Sequence, residues 1–163
     1  MLISENLSRW AIVACAFLLT LPIFGQAADG PTLREVPEGV PAKKHLVQTV
    51  YENIVFPEKA REARRGGAYA LTIYVDEDGA TWTAKPYSEA PNGKLPLNLV
   101  VTAADDTGGA PVSGQMKVNA DRALLEQTET IGRYLVDKGF DPTVRDGVPV
   151  ADSLNLVIYY RLE

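Results

Sequence analysis

From Lys43 the apolar positions advance in steps of one, three and four. Leu46, Val47, Val50 and Ile54 share one stripe, which predicts a helix with one buried face. Pro57 stands where a first helical turn tolerates a missing N–H, and Ala60 and Ala63 carry a short second helix as far as Gly66-Gly67. The period then changes to two: Tyr69, Leu71, Ile73 and Val75 alternate with other residues over 68–75. Asp76-Glu77-Asp78-Gly79 turns the chain, and 80–85 returns with Trp82 and Ala84 on one side, completing a hairpin. A second alternating pair, 95–101 and 112–118, is joined by Asp105-Asp106-Thr107-Gly108-Gly109 and reads as an inserted hairpin. Asn119 and Asp121 are placed to cap a helix whose stripe is Leu124, Thr128, Ile131 and Leu135, with Gly139 as its stop. After a loop over 140–149 with an Asp146-Gly147 turn, Leu154, Leu156, Ile158, Tyr160 and Leu162 alternate, so the last element is a strand. Helices mixed with hairpins predict an α+β fold, a small antiparallel sheet with helices packed on one face.

The first 42 residues follow neither period. Arg9 precedes an apolar run over 10–24 interrupted only by Thr20 and Pro22, and Gly25-Gln26-Ala27 supplies the small residues that a signal peptidase reads. The expectation is a signal peptide over 1–27, cleaved after Ala27, and hence a periplasmic protein. The alternative is an inner-membrane anchor over 10–24, although that run falls short of the roughly 20 apolar residues a spanning helix needs. Residues 28–42, with Pro31, Pro37, Pro41, Gly30 and Gly39, read as an extended leader. The domain proper is then 43–163, with 88–120 as an insertion.

Charge and composition narrow the chemistry. Sixteen Lys and Arg against 21 Asp and Glu give 163 residues a net charge of −5, which argues against a nucleic-acid partner. One cysteine and one histidine allow neither a disulfide nor a zinc site of the usual ligands. No nucleophile, base and orienting group can be assembled, so neither catalysis nor a cofactor or small-molecule substrate is expected. Asp76, Glu77 and Asp78 lack the later glutamate of a calcium-binding loop and read as a hairpin turn. His45, beside Lys43 and Lys44, reads as a solvated side chain. Arg61, Arg64 and Arg65 form a basic helix end, and Trp82, Tyr69 and Tyr74 read as cross-strand packing. Tyr159, Tyr160 and Arg161 are of the types that concentrate binding energy at interfaces.

Four segments in order resemble the C-terminal domain of TonB-type energy transducers. They are Phe56-Pro57-Glu58-Lys59-Ala60-Arg61 with the glycines that follow, Leu71-Thr72-Ile73-Tyr74-Val75-Asp76-Glu77-Asp78-Gly79, the helix over 121–138, and Phe140-x-Pro142 with Asp146-Gly147-x-Pro149-Val150 and the closing strand. The resemblance implies recognition: a sheet edge that accepts an extended peptide from an outer-membrane receptor or other envelope protein by strand addition. In the family the strand nearest the C-terminus receives the peptide. Here that is 154–162, with Asn155, Val157, Tyr159 and Arg161 as partner contacts facing away from the core. A homodimer formed by strand exchange is left open by the sequence. The short leader and the absence of a histidine before His45 depart from the family's pattern, and the expectation is a stand-alone module with energy transduction itself in doubt. The rival expectation is a periplasmic inhibitor or immunity-type protein acting through the inserted loop 88–120.

Overall fold

The computed structural model describes residues 30–87, 96–104 and 111–163. The expected signal peptide over 1–27 lies outside them. Helix α1 (Ala42–Asn53) buries Leu46, Thr49 and Val50, and Ile54 follows it into the core. Helix α2 (Glu58–Glu62) starts after Pro57 and buries Ala60. Its chain leaves through Arg64, which takes the left-handed conformation at φ 48°. Gly66, expected as a helix stop, has another role: a Cβ there would collide with the carbonyl oxygen of Tyr160.

Strands β2 (Gly67–Val75) and β3 (Ala80–Pro86) form the expected hairpin. Asp76 closes its turn, its Oδ1 accepting the N–H groups of Asp78 and Gly79 at 3.0 Å each, the local bonding that makes aspartate a turn former. Helix α3 (Gly114–Lys138) lies across β2 and β3. Gly132 lets it approach closely, since a Cβ there would come within 2.8 Å of Leu71 and 2.9 Å of the Trp82 ring.

The α+β reading holds, with the helices packed on one face of the main sheet. Its topology departs from expectation. Strand β4 (Leu97–Ala103) and the closing strand β8 (Asp152–Leu162) complete a four-stranded sheet in the order β3-β2-β8-β4. The β2–β3 and β2–β8 pairs are antiparallel, whereas β4 runs parallel to β8. The expected inserted hairpin does not form. Its first arm is β4, paired with β8 and not with 112–118, whose residues from Gly114 on belong to α3. Ser113 is the cap, its hydroxyl accepting the Met116 N–H at 3.2 Å, so Asn119 and Asp121 lie inside the helix.

The leader is also partly docked. Strand β1 (Thr32–Leu33) pairs antiparallel with β5 (Phe140–Asp141), Leu33 enters the core, and Arg34 meets Asp141 at 3.1 Å. The loop over 140–149 contains a miniature hairpin, β6 (Thr143–Arg145) and β7 (Val148–Val150), turned at Asp146 and Gly147, with φ of 52° and 78°. Two positive φ values in succession suit a type I′ turn, for which Asp-Gly is a preferred pair.

Tyr160 is the largest side chain at the centre of the core. Phe56 and Tyr69 meet it edge-on, with ring centroids 5.8 and 6.0 Å away, and its hydroxyl shares a 3.2 Å hydrogen bond with Thr128. Burial pushes the Tyr160 phenol up to about 12, with the Thr128 bond acting weakly the other way. The raised value means that the folded protein keeps this proton where an unfolded chain, with an ordinary value near 10, gives it up. Stability from this group is complete below about pH 10 and is lost as pH rises toward 12. Urea unfolding at pH 9 and pH 12 should show a fall that Tyr160→Phe reduces by about 2 kcal/mol. Equal falls in both proteins would contradict it.

Candidate functional site

The residues expected to bind a partner are Asn155, Val157, Tyr159 and Arg161. All four lie on the sheet face turned away from the helices, because Leu154, Leu156, Ile158 and Tyr160 between them pack into the core cluster. Their backbone is not at a rim. β8 is bounded by β2 over Gly67↔Tyr160 to Val75↔Asp152 and by β4 over Leu97↔Leu156 to Ala103↔Leu162. The expectation that the closing strand offers a free edge is therefore corrected: the segment taken for an insertion supplies the strand that covers it.

Strand alternation shows which groups are committed. The N–H of Glu163 donates to the Ala103 carbonyl at 3.0 Å, so odd-numbered residues of β8 turn their backbone toward β4. Those are the positions of Asn155, Val157, Tyr159 and Arg161. On β4 the inward groups belong to Leu97, Leu99, Val101 and Ala103, and those of Asn98, Val100 and Thr102 point outward. The outward N–H of Val100 donates to the Tyr51 hydroxyl of α1 at 3.1 Å.

The sheet therefore has two outer strands. On β3 the hairpin bond from the Asp76 N–H to the Gly79 carbonyl, 2.9 Å, sets the register so that Ala80, Trp82, Ala84 and Pro86 turn their backbone outward. Pro86 carries no N–H, which blunts one end of that edge. β4 holds a single fully buried side chain, Leu99, while Asn98, Val100 and Thr102 are exposed. The residues whose backbone turns outward are exposed on β4 and half-buried on β3.

Two other features picked out in the sequence are structural. Arg65 binds Asp121 through two contacts of 2.7 and 3.1 Å, tying the end of α2 to α3, and the bond to Asp121 raises the Arg65 guanidinium above its ordinary value. Tyr69 donates to the Asp121 carbonyl at 3.2 Å, and burial raises its phenol. These groups border a concavity of about 460 Å³ beside Pro86, Val118 and Arg122, in which Arg65 and Asp121 are paired with each other. Tyr69 and Trp82 face the helices, and Tyr74 lies on the opposite, exposed face.

No family model matches the chain, nor does any curated protein or solved structure. The TonB-type resemblance accordingly stands on the residues that carry it. Among the described residues, no helix is long and apolar enough to cross a membrane.

Proposed function

We propose that this protein is a periplasmic protein-interaction module of TonB-C-terminal-like descent that binds an extended segment of an envelope partner by strand addition, at the outer edge of β4 and not at β8. One observation carries the reading: among the described residues β4 ends the sheet with the backbone of Asn98, Val100 and Thr102 directed outward, and the Tyr51 hydroxyl of α1 stands on the Val100 N–H. An edge of this kind pairs with a further strand unless it is blocked, and a hydroxyl is more easily displaced than a strand. The inhibitor reading, which needs 88–120 to be a separable loop, loses support because that stretch contains a sheet strand and the first turns of α3.

Two substitutions act in opposite directions. Val100→Pro removes an outward N–H without touching the β4–β8 ladder, and proline is accommodated at such an edge position. Tyr51→Phe frees the same N–H. With a photo-crosslinking residue at Thr102 in the exported chain, Val100→Pro should abolish adducts to an envelope protein. Tyr51→Phe should increase them by about two- to tenfold, the worth of one competing hydrogen bond. Undiminished adducts from a folded Val100→Pro chain would refute strand addition at β4.

A further inference from the structure

The sheet face turned away from the helices carries a sign of charge opposite to the rest of the chain. Its residues occupy alternate positions of the four strands: even numbers on β2 and β4, odd numbers on β3 and β8. No aspartate or glutamate is among them; the charged residues are Lys85 and Arg161. Glu163 comes after the end of β8. The whole chain has a net charge of −5, so a face with two cations and no carboxylate within its strands is a local reversal.

Between the cations runs an apolar row. Ala68 stands opposite Tyr159, which stands opposite Val100, and Tyr87 continues the row one residue past the end of β3. The small side chain at Ala68 leaves room above it, and the rings of Tyr87 and Tyr159 meet there at 6.4 Å, tilted by 55°. The Arg161 guanidinium lies over the Tyr159 ring at 5.8 Å from its centroid, a cation–π arrangement, and Arg161 is itself exposed. Tyr87 is 45% exposed and Val100 39%. Tyrosine and arginine are the side chains that most often anchor interfaces, and here they adjoin on a rigid surface.

Val157, Thr72 and Ala70 on the same face are buried, so its accessible part is the row itself. We infer that this Tyr87–Tyr159–Val100 row docks an acidic, extended segment of a partner protein, whose apolar side chains lie on the row and whose carboxylates reach Arg161 and the half-buried Lys85. Charge complementarity selects that occupant. A second copy of this chain presenting the same face would bring cation against cation, and the excess of carboxylates elsewhere on the protein repels an anionic membrane surface. The inference is independent of strand addition at β4, since it uses side chains on a face and not backbone groups on an edge.

The test uses the exported chain and two short synthetic peptides, one alternating glutamate with tyrosine and one alternating lysine with tyrosine. Titration followed by NMR should show the glutamate peptide shifting the resonances of Tyr87, Tyr159 and Arg161, with the lysine peptide silent at the same concentrations. Lys85→Glu combined with Arg161→Glu should weaken the glutamate peptide at least tenfold, and raising salt from about 0.05 to 0.5 M should weaken it severalfold. Lys85→Gln with Arg161→Gln serves as the milder pair should the double reversal fail to fold. Tyr51→Phe, which alters only the β4 edge, should leave this binding intact while raising crosslinking at that edge, which separates it from the strand-addition reading. Equal binding of both peptides, shifts confined to other surfaces, or no shift at millimolar peptide would overturn the inference. So would concentration-dependent shifts of the same tyrosines without peptide, which would identify a second copy as the occupant, or tighter binding to anionic phospholipid vesicles than to the peptide.

Discussion

Gly66→Ala should lower the free energy of unfolding by about 2–4 kcal/mol, the range of severe overpacking. Gly66 precedes β2 at the point where the chain leaves α2, and a Cβ built there meets the backbone carbonyl oxygen of Tyr160, with the carbonyl carbon 3.4 Å away. Most collisions of a new methyl group are relieved when a side chain turns. Here the obstacle is backbone. Tyr160 lies in β8, held by Gly67 on one side and by Val101 on the other, while its own side chain is wedged between Phe56 and Tyr69. Moving the oxygen means moving a central strand, and moving Gly66 means pulling on the Arg65–Asp121 pair that ties α2 to α3. Gly114→Ala is the control: nothing lies within 4 Å of the new methyl group, and alanine suits a first helical turn. Urea denaturation followed by circular dichroism should show that variant unchanged or slightly more stable. A loss below about 1 kcal/mol for Gly66→Ala would mean that the corner yields and that the close approach is not a constraint.

Why the strand faces were legible in the sequence and their neighbours were not is clear at β4 and β8. Alternation reports which side of a strand meets the core, because that side must be apolar. Leu154 to Leu162 and the β2–β3 hairpin therefore read correctly, and so did the outward placement of Asn155, Val157, Tyr159 and Arg161. Alternation says nothing about which strand lies alongside. The pairing of β4 with β8 joins residues more than fifty positions apart, in parallel, with no turn signal to announce it. The hairpin expected for 112–118 failed for a related reason. Val112, Met116 and Val118 mimic a strand by their even spacing, yet Met116 and Val118 are exposed on the first turns of α3, where no packing enforces a helical period. Ser113 was the available cue, a hydroxyl three residues before the N–H it caps. The docking of Leu33 offered no cue, since a two-residue strand has no period to detect.

Leu99→Asp should detach β4 from the sheet and leave the rest of the domain standing, a loss of about 3–5 kcal/mol confined to one strand. Leu99 is fully buried, the only residue of β4 that is, and stands opposite Ile158 in the middle of the parallel ladder. An aspartate there would carry an unpaired charge into an apolar layer, whereas solvation is available to it once the strand swings out. The backbone alternation makes the outcome visible residue by residue. The N–H groups of Val157, Tyr159 and Arg161 face β4 and should lose their protection from hydrogen exchange. Those of Leu156, Ile158 and Tyr160 face β2 and should keep theirs. Asn98→Asp, an exposed charge on the same strand, should alter neither set. Uniform loss throughout β8 would instead show that β4 and the central strands open as one cooperative unit. The alternating pattern would leave a folded domain whose closing strand is unpaired on the side where the TonB-type resemblance seats a peptide. A gain of partner crosslinking at Tyr159 in that variant would mean that β4 holds the place of an incoming strand, and no gain would leave β4 as an integral part of the sheet.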